Sequence, residues 1–150
     1  MKEPAMVRLC LVLIVVLALS SCVPIGSVVT PGVTVKEPWS RQAMGGDNGA
    51  AFMTITNATS QDDRVISAET SIAQRVELHE TMELDGVMSM IPQPDGFPLP
   101  AGATLELKPG GKHVMLVGLV NPLAPGQTYQ LRLNFEKADP ITIEVLVREP

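Results

Sequence analysis

Beyond its first fifty residues this chain is built from short apolar–polar alternations, each closed by glycine, proline, asparagine or aspartate. Gln74–His79, Thr104–Leu107, Thr128–Phe135 and Ile141–Val147 alternate with a period of two, the mark of a half-buried strand. Ala50–Asn57, Arg64–Ala68 and His113–Val120 are short and rich in strand-forming residues. No segment after the N-terminal leader shows a helical period. Strands spaced by about 8–12 residues, with Pro and Gly turns between them, predict a single-domain β-sandwich or small barrel. The 13 Pro and 12 Gly punctuate apolar segments, so they do not indicate a disordered chain.

The N-terminus reads differently. Lys2 and Arg8 precede the apolar run Leu9–Leu19. That run is well short of the roughly 20 residues that a membrane-spanning helix needs, and it fits the core of an export signal. Leu19-Ser20-Ser21-Cys22 then resembles a bacterial lipobox, in which the cysteine is lipidated and becomes N-terminal after cleavage. The other reading is an ordinary signal peptide with a chance cysteine. On the lipobox reading, residues 1–21 are a signal peptide, residues 22–32 are lipidated Cys22 and a tether, and residues 33–150 are the folded domain. Cys10 leaves with the signal, so no disulfide is expected. Loss of Lys2, Arg8 and Glu3 takes the net charge from −5 to −6. The expected product is an acidic, lipid-anchored protein on the extracytoplasmic side of a membrane, facing a periplasm or the cell surface. An acidic chain with five aromatic residues offers neither a basic stripe nor a stacking platform, so nucleic-acid binding is not expected.

Chemistry concentrates in two places. The first is His79-Glu80-Thr81-Met82-Glu83-Leu84-Asp85-Gly86-Val87-Met88-Ser89-Met90. Asp85-Gly86 is a two-residue hairpin signal, because both central positions of a type I′ turn require positive φ. With that turn, Leu84 faces Val87 and His79 faces Pro92. Met90 and Met88 then share the face of His79, with Met90 diagonal to it, and Met82 falls on the other face. The second place is His113-Val114-Met115, where the imidazole and the thioether at i and i+2 point the same way. These are the only two His in the chain. If the two pieces meet, they make a His₂Met₂ site.

Neutral, soft thioethers select Cu(I) over hard cations. Zinc sites recruit thiolate, carboxylate or more histidine. A blue-copper centre needs a thiolate, which the expected mature domain lacks. A plainer reading competes: methionine is more often core filler than ligand, and His113-x-Met115 alone would be read as structural. Met53 reads as core. Met44, in a glycine-rich loop, is either an extra ligand or inert. Glu80, Glu83 and Asp85 read as a solvated hairpin face or as an acidic rim that attracts cations.

His79, ten residues, Met90, and then His113-x-Met115 resembles the signature of the periplasmic copper chaperones called PCu(A)C. The phrases around Trp39, Gly49–Asn57, Val76–Glu80, Asp85–Met90, Leu99–Gly102 and Leu107–Leu116 are similar too, over about residues 36–147. The resemblance implies an all-β, cupredoxin-like Greek-key β-sandwich that holds Cu(I) through His79, Met90, His113 and Met115. It implies delivery of copper to the copper-centre subunit of cytochrome c oxidase or to a Sco-type thiol protein. A monomer is the expected state. One departure stands out: 22 residues separate Met90 from His113, one more than is usual, and the Pro-rich stretch Ile91–Pro100 is the expected place for it. The alternatives are a copper-buffering or storage lipoprotein and a structural β-sandwich lipoprotein without metal. An enzyme is not expected, since no nucleophile–base pattern or paired carboxylates are visible.

Overall fold

The computed structural model describes residues 32–149. The expected leader, Cys22 and the tether up to residue 31 lie outside the described residues, as does Pro150. Ten strands make up the fold: β1 (Val33–Arg41), β2 (Gly49–Asn57), β3 (Asp63–Glu69), β4 (Ala73–Leu84), β5 (Val87–Pro92), β6 (Phe97–Leu99), β7 (Thr104–Leu107), β8 (Lys112–Leu119), β9 (Thr128–Phe135) and β10 (Ile141–Arg148). No helix occurs among the described residues.

Every strand expected from the alternation is present, and two more appear. β1 contains Pro38, which argues against a strand. The chain accommodates it with a bulge: the β1–β2 register shifts between Lys36 and Trp39, and Glu37 takes a φ of 50°. β6 contains Pro98 and lies at the end of the strand order, where a missing N–H leaves no ladder broken on its open side.

Hydrogen bonds link the strands in the order β5-β4-β8-β2-β1-β10-β9-β3-β6, with β7 paired to β2. β1 runs parallel to β10, and the other pairs are antiparallel. The two ends of this order approach each other where β3 packs against β4. The strands therefore enclose one core, in the all-β, cupredoxin-like sandwich that the alternation and the resemblance led us to expect. Ile55, Val65, Phe97, Leu116, Leu131, Leu133, Val145 and Val147 fill it, all essentially inaccessible. Burying such side chains contributes about 1.5–3 kcal/mol each before entropy is charged.

Asp63 ties the start of β3 to the β9–β10 turn. Its Oδ1 accepts hydrogen bonds from the N–H of Arg64 (2.7 Å) and Lys137 (3.0 Å), and its Oδ2 from that of Ala138 (2.9 Å). Desolvation raises its pKa, but the backbone donors outweigh it and hold the carboxyl below its ordinary 3.8. A depressed folded pKa gives stability that is present above the ordinary value and lost as pH falls through the folded one. The stability gap between wild type and Asp63→Asn is therefore expected to narrow as pH drops from about 5 to about 2 in denaturant titrations. A gap independent of pH would remove Asp63 from the acid response.

Candidate metal site

The site begins with one hairpin. Asp85 and Gly86 have φ of 52° and 80°, as a type I′ turn requires. The turn fixes the β4–β5 register from Leu84↔Val87 through Thr81↔Met90 to His79↔Pro92. Met90 and Met88 therefore share a face with His79 and Thr81, and Met82 lies on the other face, as expected.

The long-range pairing then brings in the second piece. β4 lies beside β8 with His79 opposite His113 and Glu77 opposite Met115. On the other side of β8, Met115 faces Ala50 of β2. The intervening positions Leu78, Val114, Leu116 and Ala51 point into the core. His79, His113, Met115 and Met90 thus occupy the outer face of the sheet. The unusual gap between Met90 and His113 leaves both registers regular, so no ligand candidate is flipped to the wrong side.

Although they face outward, both histidines are buried: His79 is 8% exposed and His113 3%. Phe52 covers His113, with ring centres 6.3 Å apart, and Trp39 lies 4.7 Å from Phe52. The rings of His79 and His113 are 5.9 Å apart. With metal–imidazole bonds of about 2.0–2.1 Å, one ion can join two rings whose centres lie about 6 Å apart. The spacing of the two rings is therefore compatible with a shared ion.

A cavity of about 490 Å³ opens beside them. Met90, His113, Met115, Thr81, Phe52 and Arg41 are among its walls. His79 is not, and its ring lies against His113 instead. Met90 is 58% exposed on edge strand β5, so one thioether is open to solvent. Met88 is exposed further along the same face. Met44 is exposed in a neighbouring groove with Asp47 and Asn48, and Met53 is core. No cluster of three His, Cys, Asp or Glu side chains occurs among the described residues. A metal held on this face would need the thioethers.

The acidic residues are placed differently from one sequence-level alternative. Glu80 points to the opposite face, where its carboxylate binds Lys112 Nζ at 2.8 Å, and neither Glu83 nor Asp85 lines the cavity. The carboxylate that touches the histidines is Glu77, which the reading of the sequence did not single out. Its Oε2 lies 2.8 Å from His79 Nε2, and its Oε1 accepts from Arg75 Nε at 2.9 Å. The hydrogen bond from His79, seconded by Arg75, holds Glu77 below the ordinary carboxylate range. The signal was legible in principle: Arg75, Glu77 and His79 are alternate residues of one strand and share a face. His113 is held by its backbone instead, Nδ1 lying 3.0 Å from the carbonyl of Gly111.

The family model for LpqE-like proteins, described as "Putative lipoprotein LpqE-like", matches residues 33–147. A relative from Leifsonia xyli subsp. xyli, named "Putative lipoprotein Lxx21020", is 38% identical over 118 residues, covering 79% of this chain and 70% of its own. Among solved structures, the copper-bound PCuAC domain from PmoF2 superposes with a TM-score of 0.65 at 25% identity, over 79% of this chain and 93% of that one. The Cu(I) form of DR1885 from Deinococcus radiodurans superposes with a TM-score of 0.58 at 30% identity, over 74% and 76% of the two chains.

Proposed function

The chain belongs to the LpqE-like family, whose fold is that of PCuAC domains, and from that premise we propose that it is an exported, lipid-anchored Cu(I) chaperone. The observation that carries this reading is the meeting of both histidines, Met115 and Met90 on one face, with three of the four around one cavity. The copper-bound and Cu(I)-bound structures it resembles support the choice of metal. His79, His113, Met115 and Met90 are the proposed ligands, and Cys22 is the proposed lipidation site.

Four neutral ligands leave the charge of Cu(I) intact, and a +1 ion tolerates this better than a +2 ion. Glu77 places a carboxylate one hydrogen bond away from the site, which offsets part of that charge. Release is then a ligand exchange. Met90 is exposed on an edge strand, so an acceptor's sulfur can replace it first while the buried histidines keep hold. A thioether carries no proton at neutral pH, so Met90 leaves without taking one up, and an incoming thiol of the acceptor gives up its own proton as it binds as thiolate. Exposure of one ligand favours handing copper on over storing it. The acceptor of this reading is the copper-centre subunit of cytochrome c oxidase or a Sco-type thiol protein, and no chemical turnover by this chain is involved.

An anaerobic Cu(I) titration of the purified protein against a chromophoric competitor tests the reading. One tight equivalent is expected, with Trp39 fluorescence as a local reporter because its ring packs at a tilt against the Phe52 that covers His113. Mixing the loaded protein with the apo acceptor domain should then move copper without free Cu(I) appearing in the competitor. Absence of competitive binding would leave a structural module, and binding without transfer would leave a buffer.

A further inference from the structure

We propose that Glu77 fixes His79 as its Nε2–H tautomer, so that His79 offers copper its Nδ1 while His113 offers Nε2. This rests on the copper reading above, but its first half concerns the metal-free protein alone.

A carboxylate can only accept hydrogen bonds, so the 2.8 Å contact with Glu77 Oε2 places the proton on His79 Nε2. Arg75 holds the other carboxylate oxygen, which leaves Glu77 little freedom to turn away. The remaining nitrogen, His79 Nδ1, is buried and has no hydrogen-bond partner. A proton there would be a buried donor with nothing to receive it, at a cost of about 1–3 kcal/mol. As a bare lone pair it is a donor atom waiting for an acceptor. The other two buried side-chain polar atoms without a partner among the described residues are the hydroxyls of Ser40 and Tyr129, which can reorient. His79 Nδ1 is fixed by its ring.

His113 has the opposite arrangement. The Gly111 carbonyl only accepts, so it places the proton on Nδ1 and leaves Nε2 free. That carbonyl also accepts from Thr81 N–H at 3.1 Å, so it is locked to the strand that pairs with Met90. Orienting a metal-bound imidazole through the hydrogen bond on its other nitrogen is a general device, and each histidine here has a different partner for it. Glu77 is therefore a positioning residue, acting on copper only through His79.

Long-range proton–nitrogen NMR of the ¹⁵N-histidine-labelled protein reads both halves. In the metal-free protein, His79 is expected protonated at Nε2 and His113 at Nδ1. A proton on His79 Nδ1 would overturn the proposal. On adding Cu(I) anaerobically, the large nitrogen shifts are expected at His79 Nδ1 and His113 Nε2. A shift at His79 Nε2, with Glu77 displaced, would overturn the nitrogen assignment while leaving the copper reading intact. Failure to bind Cu(I) at all would instead sink the copper reading and with it the ligand half of the proposal, whereas the metal-free spectrum would still decide the tautomer. Glu77→Ala is expected to weaken Cu(I) binding by about 10–100-fold, with His113 keeping its Nδ1 proton in the same spectrum. Wild-type affinity in that variant would remove Glu77 from the site, and if the variant does not fold, the wild-type spectra decide alone.

Discussion

His113→Ala is expected to lower Cu(I) affinity by more than about 100-fold, since even the outer partners of metal-bound histidines are worth about 10–100-fold. His113 sits at the centre of the constellation. It lies beside His79 across the strand pair, two residues from Met115, under Phe52 and on the cavity wall. Its side chain points away from the core, so truncation removes a proposed ligand without opening a hole among Val114, Leu116 and their neighbours. The domain should remain folded by circular dichroism. Met90→Ala is expected to behave otherwise. Met90 is more than half exposed, so its loss should cost about tenfold or less in affinity while slowing transfer to the acceptor. The same competitor titration and a stopped-flow transfer assay measure both. Full affinity in His113→Ala would place the metal elsewhere, for example at the exposed Met88 and Met90 on one face of the hairpin.

Gly96→Ala is expected to be the most damaging single methyl group in the domain. Gly96 has a φ of 74°, and a Cβ there would overlap the carbonyl oxygen of Val65, with the Val65 carbonyl carbon at 3.0 Å and Ile66 Cα at 3.1 Å. These are backbone atoms and cannot rotate aside. Val65 is fully buried and pairs with Phe97 on one side and Phe135 on the other, so β3 cannot shift without breaking two ladders. Overpacking and left-handed strain together predict a loss of about 3–5 kcal/mol. In a domain of this size that lowers Tm by about 10–20 °C. Gly102→Ala is the control: its φ is 69°, yet a Cβ would meet nothing within 4 Å. It should lose only about 1 kcal/mol, the cost of the backbone conformation alone. Equal effects in scanning calorimetry would show that the close approach to Val65 is relieved cheaply.

The two missed strands and the missed carboxylate have a common physical origin. Pro38 and Pro98 are poor strand residues by local preference. A bulge and an edge position make room for them, and both are properties of the assembled sheet. Glu77 looked like one more polar residue in an alternating strand. It became the partner of His79 only because the outer face of β4 is partly covered, so that the imidazole is buried and needs an acceptor.

Local rules decided the rest without tertiary help. A two-residue Asp85-Gly86 turn admits one register, and that register puts Met90 on the face of His79. The period of two puts Met115 on the face of His113. The tertiary structure decided that these two pairs lie side by side, that they stand on the outer face instead of in the core, and that one thioether stays in solvent. β4 and β8 are separated by more than twenty residues and three intervening strands, β5, β6 and β7. Their pairing is set by the fit of Val76, Leu78, Val114 and Leu116 to the common core, a sum over many distant contacts that no local spacing encodes.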